Sequence, residues 1–141
     1  MKNQAIKKVR VVIYTVEAGK TYFLILHRIL RWTGWELLKE TMEPGETVLE
    51  TLKRGIFEET KIKDFEIIRD LQAKEKWQSE GNNYEITATY LVRTDKKQEI
   101  SLKQEIIEHD RYLWAEKDEA AEKLTWPETK ALIENLQING K

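Results

Sequence analysis

The sequence predicts a domain of mixed α/β (α+β) class, in which helices pack against a mixed β-sheet. Segments rich in β-branched and aromatic residues occur in two pairs, and a turn-forming sequence divides each pair. Segments with apolar residues at helical spacing lie between the two pairs and near the end of the chain. The length of 141 residues is close to that of one ordinary domain, so we expect residues 1–141 to form a single domain.

The composition excludes several kinds of site. The chain has no cysteine, which excludes disulfides, cysteine-ligated zinc and thiol nucleophiles and fits a reducing compartment such as the cytoplasm. The net charge of −1 does not indicate a broad basic surface for duplex nucleic acid. Residues 1–8 lack the apolar region of a signal peptide, and no later run approaches membrane-spanning length. We therefore expect a cytoplasmic protein that binds neither duplex nucleic acid nor a membrane.

The first half of the chain predicts a hairpin, a short strand and a helix. Residues 9–16 and 22–29 flank a break that contains Gly19, and residues 35–38 form a further short strand. A turn at residues 43–46 precedes the helix, which begins near Thr47 because Thr47 and Glu50 have the spacing of a capping box. The predicted buried face of this helix contains Val48, Leu49, Leu52 and Ile56.

The second half predicts another hairpin, a last strand and two helices. Residues 65–77 and 84–93 are the hairpin strands, and the polar sequence at residues 79–83 is typical of a turn. Residues 112–115 form the last short strand. Residues 116–124 and 127–136 have helical apolar spacing, with Pro127 near a helix start. The tail at residues 139–141 is expected to fray.

Two adjacent carboxylates end the first predicted helix. Glu58 and Glu59 supply hard oxygen atoms, which are the ligands that Mg²⁺ or Mn²⁺ requires, and Arg54 lies one turn before them. A simpler explanation is also open. Glutamate pairs on an exposed helix face are usually solvated, and Arg54 is four residues from both Glu50 and Glu58.

The surrounding spacing favours the metal site, because residues 35–62 resemble the Nudix box: Gly, five residues, Glu, seven residues, then Arg-Glu-apolar-x-Glu-Glu-x-Gly-apolar. Matching positions are Glu46, Arg54, Ile56, Glu58, Glu59 and Ile62, while Trp35, Leu38 and Lys39 resemble the lead-in common before the box. The resemblance implies an α/β/α sandwich and metal-dependent hydrolysis of a nucleotide phosphoanhydride.

Three residues depart from this pattern. Glu40 stands where the box opens with Gly, and Lys61 stands where Gly would close the helix. At the opening position a backbone carbonyl commonly joins the metal shell of the family, and Glu40 retains a carbonyl but lacks the dihedral freedom of Gly. Lys61 forfeits an easy left-handed cap but places a favourable charge at the helix C-terminus.

The third departure, Gly55, removes a carboxylate. Residues i, i+3 and i+4 share a helix face, so a glutamate at position 55 would converge with Glu58 and Glu59. In the family that carboxylate ligates metal or aligns the attacking water, and its absence could weaken metal binding, slow hydrolysis or abolish it. Gly within a helix costs about 1 kcal/mol relative to Ala, so the sequence gives no physical reason for Gly55 and predicts that Gly55→Glu stabilises the helix.

A second resemblance lies near the end of the chain. The sequence from Glu108 to Trp114, followed by an acidic, Ala-rich helix, is similar to the asymmetric diadenosine tetraphosphate hydrolases of the Nudix family. An acid late in the domain can complete the metal site of those relatives. Glu108 is therefore the candidate third metal ligand, and a solvated loop glutamate is the open alternative.

Basic and aromatic residues supply candidates for substrate binding. Lys39, Arg28 and Arg31 flank the predicted metal loop and could pair with phosphate oxygens, or could simply be exposed solubilising residues. Trp77, Tyr84 and Trp32 lie near predicted strand ends and could stack a nucleobase. Tyr90, Trp114 and Trp35 are expected in the core. His27 and His109 are not predicted to be catalytic, because each could serve as an edge residue or orient its loop.

The leading hypothesis is a magnesium-dependent pyrophosphohydrolase that acts on a nucleotide or dinucleoside polyphosphate. In it Glu58 and Glu59 hold metal, Lys39 steadies phosphate, and Arg54 holds Glu58 or Glu50 in place. The alternative is a nucleotide-binding or regulatory domain that no longer hydrolyses, because Gly55 removes a central carboxylate. A Nudix-fold protein interaction module is the third hypothesis.

Overall fold

The computed structural model of the chain describes residues 4–138, within which eight strands and three helices form. The strands are β1 (Ile6–Glu17), β2 (Lys20–Arg28), β3 (Gly34–Glu36), β4 (Leu38–Thr41), β5 (Phe65–Asp70), β6 (Glu75–Ser79), β7 (Asn82–Thr94) and β8 (His109–Ala115). The helices are α1 (Val48–Thr60), α2 (Lys117–Lys123) and α3 (Pro127–Asn135). The tail at residues 139–141, which was expected to fray, lies outside the described residues.

The strands join one mixed sheet, which is the kind of sheet that the sequence predicts, although it has eight strands and not the six predicted. The central order is β3-β2-β1-β7-β5, while β4 pairs with β1, β6 with β7 and β8 with β2. The β1–β7 pair is parallel and the other pairs are antiparallel. Among residues 4–138, no helix is long and apolar enough to cross a membrane.

The alternating side chains of β1 explain the two layers that cover the sheet. Val9, Val11 and Ile13 face one cluster, which includes Leu52 and Ile56 of α1. On the opposite face, a second cluster joins Val12 and Tyr14 of β1 to apolar residues of α2 and α3. The result is the α/β/α sandwich that the resemblance implies.

The start of α1 follows the prediction, whereas its buried face differs in part. The Glu50 backbone N–H donates to Thr47 Oγ1 at 3.1 Å, and the Thr47 N–H donates to Glu50 Oε1 at 2.9 Å, which completes the capping box. Leu52 is fully buried, but Leu49 is 41% exposed. The face instead continues through Gly55, which packs against the sheet.

Two predicted strands are divided in the structure. The single strand predicted at residues 65–77 is wrong, because residues 71–74 form a loop between β5 and β6. Gln72 has a positive φ of 57°, and its N–H donates to Asp70 Oδ1 at 2.7 Å, which turns the chain. The strand predicted at residues 35–38 is likewise interrupted at Leu37, so that β3 pairs with β2 and β4 pairs with β1.

Candidate active site

Arg54 fastens the loop before α1 to the helix. Its Nε donates to Glu46 Oε2 at 2.7 Å, and its Nη2 donates to Glu46 Oε1 at 2.9 Å and to the Thr41 carbonyl oxygen at 2.7 Å. The hydrogen bond from Arg54 lowers the pKa of Glu46 to about 2, and the same bond raises the pKa of Arg54. The bidentate pair therefore fixes the path of residues 41–46 relative to the helix.

The remaining guanidinium nitrogen of Arg54, Nη1, lies close to three carboxylates. Arg54 Nη1 lies 3.0 Å from Glu58 Oε1, 3.2 Å from Glu40 Oε2 and 3.8 Å from Glu43 Oε2. The contact with Glu58 is the one that helical spacing predicts. The alternative partner, Glu50, is instead used in the capping box.

Glu58 and Glu59 have different surroundings although they are adjacent. The Glu58 side chain is 48% exposed, whereas the Glu59 side chain is 4% exposed and its Oε1 lies 3.3 Å from His109 Nδ1. Burial raises the pKa of Glu59 to about 7, and the nearby Glu108 carboxyl adds to this shift, while His109 opposes it. The helix thus offers one accessible carboxylate and one enclosed carboxylate.

His109 and Glu36 form a buried pair behind Glu59, and sequence reasoning missed this role of both residues. Burial lowers the pKa of His109, but Glu36 and Glu59 outweigh it and raise the pKa to about 9, so the imidazole is protonated at neutral pH. Burial raises the pKa of Glu36, but the bond from His109 and the charges of Lys39 and Arg28 lower it to about 2. Glu36 lies two residues before the buried Leu38, and residues two apart in an extended chain face the same side. This spacing was the available signal that Glu36 faces inward.

Glu40 occupies the space beside Gly55. A Cβ atom built on Gly55 would lie 2.7 Å from Glu40 Cβ, 3.0 Å from Cγ and 3.5 Å from Oε1. A separation of 2.7 Å is far too short for two carbon atoms, so Glu40 requires Gly at position 55. This contact is the physical reason for Gly55 that the sequence did not provide, and it opposes the expectation that Gly55→Glu stabilises the helix.

The Glu40 carboxyl is enclosed and incompletely paired. Its Oε1 is buried and, among residues 4–138, has no hydrogen-bond partner. Burial raises the pKa of Glu40, Arg54 opposes this shift, and the carboxylates of Glu58 and Glu108 add to it. Glu40 therefore belongs to the same acidic region as the two helix carboxylates.

The three basic residues predicted to bind phosphate differ in their contacts and exposure. Lys39 Nζ lies 3.3 Å from Glu36 Oε1 and 5.4 Å from the ring centroid of Trp77. Arg28 is largely occupied, because it contacts Glu36 at 3.0 Å, Glu108 at 3.6 Å and the Leu30 carbonyl oxygen at 2.9 Å. Arg31 is exposed on the loop after β2, with a positive φ of 73°.

The aromatic candidates also differ in their surroundings. Trp77 and Tyr84 stack on each other across β6 and β7, with ring centroids 5.3 Å apart and an angle of 13° between the planes. Trp32 packs edge-on against Trp126, with centroids 5.1 Å apart. The residues expected in the core, Trp35, Tyr90 and Trp114, are partly buried against the two apolar clusters.

The carboxylates fit a hard divalent cation, although they do not form a finished shell. Within residues 4–138, no three acidic or histidine side chains are gathered closely enough to constitute a ready-made metal site. The buried Oε1 of Glu40 nevertheless has no hydrogen-bond partner in the described part of the chain, and a carboxylate oxygen of this kind suits a hard cation. Glu58, Glu59 and Glu108 add oxygen atoms of the kind that Mg²⁺ prefers.

An open pocket of the described structure lies away from these carboxylates. Its walls come from the loop between β5 and β6, from α3, and from the ion pair between buried Arg10 and partly exposed Glu75. Glu40, Glu58, Glu59 and Glu108 do not line it. The carboxylate region is therefore a candidate site because of the chemistry of its side chains, and not because it lies in a pocket.

A protein-family model described as the NUDIX domain matches residues 6–136 of this chain. No curated protein sequence matches the chain. The family match thus covers nearly the whole sequence and includes every candidate residue described above.

Several solved structures share the fold at low sequence identity. A Caenorhabditis elegans Ap4A hydrolase in a binary complex superposes with a TM-score of 0.81 and 23% identity, covering 92% of this chain and 93% of that chain. The Escherichia coli dihydroneopterin triphosphate pyrophosphohydrolase gives 0.74 and 20%, covering 99% and 100%. The NUDIX domain of Shewanella oneidensis NrtR, complexed with ADP ribose, gives 0.71 and 14%, covering 94% and 86%.

Proposed function

Because the chain belongs to the Nudix family, we propose that it hydrolyses a phosphoanhydride bond in a nucleoside or dinucleoside polyphosphate, with Mg²⁺ or Mn²⁺ as cofactor. One observation carries the proposal. At the end of α1 and on the strands beside it, Arg54 and His109 hold several carboxylates toward one region. Such a group of hard oxygen ligands suits a cation that binds phosphate.

Each residue has a distinct part in this proposal. Glu58 and Glu59, with Glu108, hold the cation, which when bound lowers the pKa of a water molecule and screens the phosphate charge. Arg54 is a positioning residue, since its bonds orient Glu58 and the preceding loop. His109 holds a proton beside Glu59 and thereby fixes the direction of that carboxylate.

The substrate class follows from charge and from the family. Lys39 and Arg31 supply positive charge for phosphate oxygens in a chain whose net charge is −1, and Arg28 supports them while it pairs with acids. The stacked pair of Trp77 and Tyr84 offers an aromatic surface to a base. The likeness to the C. elegans Ap4A hydrolase supports a dinucleoside polyphosphate as the first substrate to test.

The decisive experiment is a substrate panel in the presence of Mg²⁺ or Mn²⁺. Nucleoside triphosphates, nucleotide sugars and dinucleoside polyphosphates are incubated with the protein, and the products are resolved by chromatography. We expect turnover of at least one compound, and we expect Glu58→Gln combined with Glu59→Gln to abolish it. The matched control is Glu122→Gln on the exposed surface of α2. Equal rates for the double variant and the parent would contradict the proposed site.

A nucleotide-binding domain without hydrolysis is the second candidate. It is favoured by the absence of a carboxylate on α1 at Gly55 and by the engagement of Glu58 with Arg54. The NUDIX domain of S. oneidensis NrtR with bound ADP ribose supports the same candidate as a likeness of fold. Calorimetry on the same compounds separates the two functions, because binding without any product would identify the non-hydrolysing protein.

A further inference from the structure

The carboxylate that α1 lacks at position 55 has a spatial replacement. Positions 55, 58 and 59 share one face of the helix, because they are three and four residues apart. Glu40 reaches this face from β4 and fills the place that a side chain at position 55 would occupy, with its Oε1 only 3.5 Å from a Cβ on Gly55.

The two oxygen atoms of Glu40 have different surroundings. Oε2 lies 3.2 Å from Arg54 Nη1, and the same nitrogen lies 3.0 Å from Glu58 Oε1. Oε1 is buried and, in the described part of the chain, has no hydrogen-bond partner. A buried, unpaired carboxylate oxygen is costly, so pairing with Arg54 alone does not account for the conformation.

His109 encloses the carboxylate group from the side of β8. Its side chain is only 4% exposed, and its Nδ1 is directed at Glu59 Oε1 from 3.3 Å without a hydrogen bond to any residue within 4–138. The protonated Nδ1 of His109 carries a hydrogen and cannot bind a cation, so the unpaired atom that suits one is Glu40 Oε1 on β4. A bound cation would give the free carboxylate oxygen a partner.

We propose that Glu40 is a metal ligand, and that its carboxylate replaces the one missing from α1 at Gly55. The proposal rests on the proposed function, because it concerns the same cation. It adds that Glu40 and Gly55 act as an exchanged pair: the strand provides the carboxylate and the helix provides the space. The site then has the three carboxylates of the family pattern, two from α1 and one from β4.

The first test compares Glu40→Gln with Glu43→Gln in titrations with Mn²⁺ alone, where free Mn²⁺ is measured by electron paramagnetic resonance. Glu43 is the matched control because it also approaches Arg54 Nη1, at 3.8 Å, but is 62% exposed. We expect Glu40→Gln to weaken Mn²⁺ binding at least about tenfold and Glu43→Gln to leave it nearly unchanged. A purely structural Glu40 would change the melting temperature and not the Mn²⁺ affinity.

The second test moves the carboxylate back to the helix. The double variant with Glu40→Gly and Gly55→Glu removes the crowding and restores an acid next to Glu58 and Glu59. We expect its Mn²⁺ affinity to exceed that of Glu40→Gly alone by about tenfold. Circular dichroism spectra of each variant without metal show whether the variant is folded.

The outcomes separate this inference from the proposed function. If Glu40→Gln binds Mn²⁺ as tightly as the parent while Glu58→Gln binds it more weakly, Glu40 is not a ligand and the proposed function stands. If the parent binds no Mn²⁺, or if the Glu58→Gln and Glu59→Gln double variant binds it unchanged, both proposals are overturned. Equal Mn²⁺ affinity of the exchanged variant and Glu40→Gly would also overturn the exchange.

Discussion

His109 Nε2 donates a hydrogen bond to Glu36 Oε2 at 2.8 Å, and both side chains are almost completely buried. The opposite ring nitrogen faces Glu59, so a strand carboxylate and a helix carboxylate are joined through one protonated imidazole. A charged group in this position must be paired on both sides to remain stable. The first prediction follows from its protonation.

His109→Gln is expected to lower the free energy of unfolding of the metal-free protein by on the order of 2 kcal/mol near pH 6. The folded-state pKa of His109 is raised from 6.5 to about 9, so its contribution is complete below pH 6.5 and is lost as the pH rises through about 9. The lowered pKa of Glu36, about 2 instead of 4.5, limits the contribution on the acid side.

Urea denaturation at a series of pH values, in the presence of a chelator, measures the difference between His109→Gln and the parent. That difference should be largest between pH 4.5 and 6.5 and should shrink toward pH 9. His27→Gln is the control, because His27 bonds Asp110 near the surface. A difference that stayed constant up to pH 10 would mean that His109 contributes by packing and not by charge.

Gly55→Ala is expected to destabilise the protein by about 1–2 kcal/mol, although Ala is the better helix former. The reason is the 2.7 Å approach between the new Cβ and Glu40 Cβ. In a Glu40→Gly background the same substitution should stabilise, since the obstacle is gone. A double-mutant cycle by chemical denaturation measures this change of sign, and additive effects of the two substitutions would refute the contact.

Arg54→Ala is expected to lower the melting temperature by about 5 °C, because the loop at residues 41–46 loses its hydrogen bonds to the helix. Arg54→Lys should recover only part of this loss, since an ammonium group cannot form the bidentate pair with Glu46. Lys53→Ala, on the exposed side of the same turn, is the matched control. Full recovery by Lys would show that charge alone is sufficient.

Lys39→Ala is expected to weaken the binding of a nucleoside polyphosphate more than that of the unphosphorylated nucleoside, because its ammonium group should meet phosphate and not base. Lys39 also contacts Glu36 and Trp77, so the ratio of the two affinities is more informative than either value. Calorimetry with both ligands gives this ratio. Equal losses would indicate a damaged site or a different phosphate-binding residue.

Local signals predicted the fold well. The capping box at Thr47 and the two hairpins follow from residues that are neighbours in sequence, and the structure contains all of them. The break between β5 and β6 was not predicted, because residues 65–77 have no strong turn-forming dipeptide. The loop is held by the bond from Gln72 to Asp70 and by bonds of Leu71 and Ala73 to Thr89 on β7, which is distant in sequence. Both strands still pair with β7, as one continuous strand would.

The candidate site was only partly predictable for a related reason. The contact of Arg54 with Glu58 is set by helical spacing, which can be read in one sequence. The contacts of His109 with Glu36 and Glu59 join three separate elements, and no spacing rule reports such a meeting. Glu40 and Gly55 likewise become neighbours only when β4 packs beside α1.

The close approach of Glu40 and Gly55 has a consequence for the way this sequence can change. A larger residue at position 55 is obstructed while Glu40 remains, and loss of the Glu40 side chain leaves the helix face with only the carboxylates of Glu58 and Glu59. The contact predicts that the two positions change together, because a single substitution at either one gives an unfavourable intermediate sequence. When each position is compared separately with the Nudix box, Glu40 and Gly55 count as two mismatches. In the proposed arrangement they are a single exchange, in which a carboxylate moves from the helix to the strand.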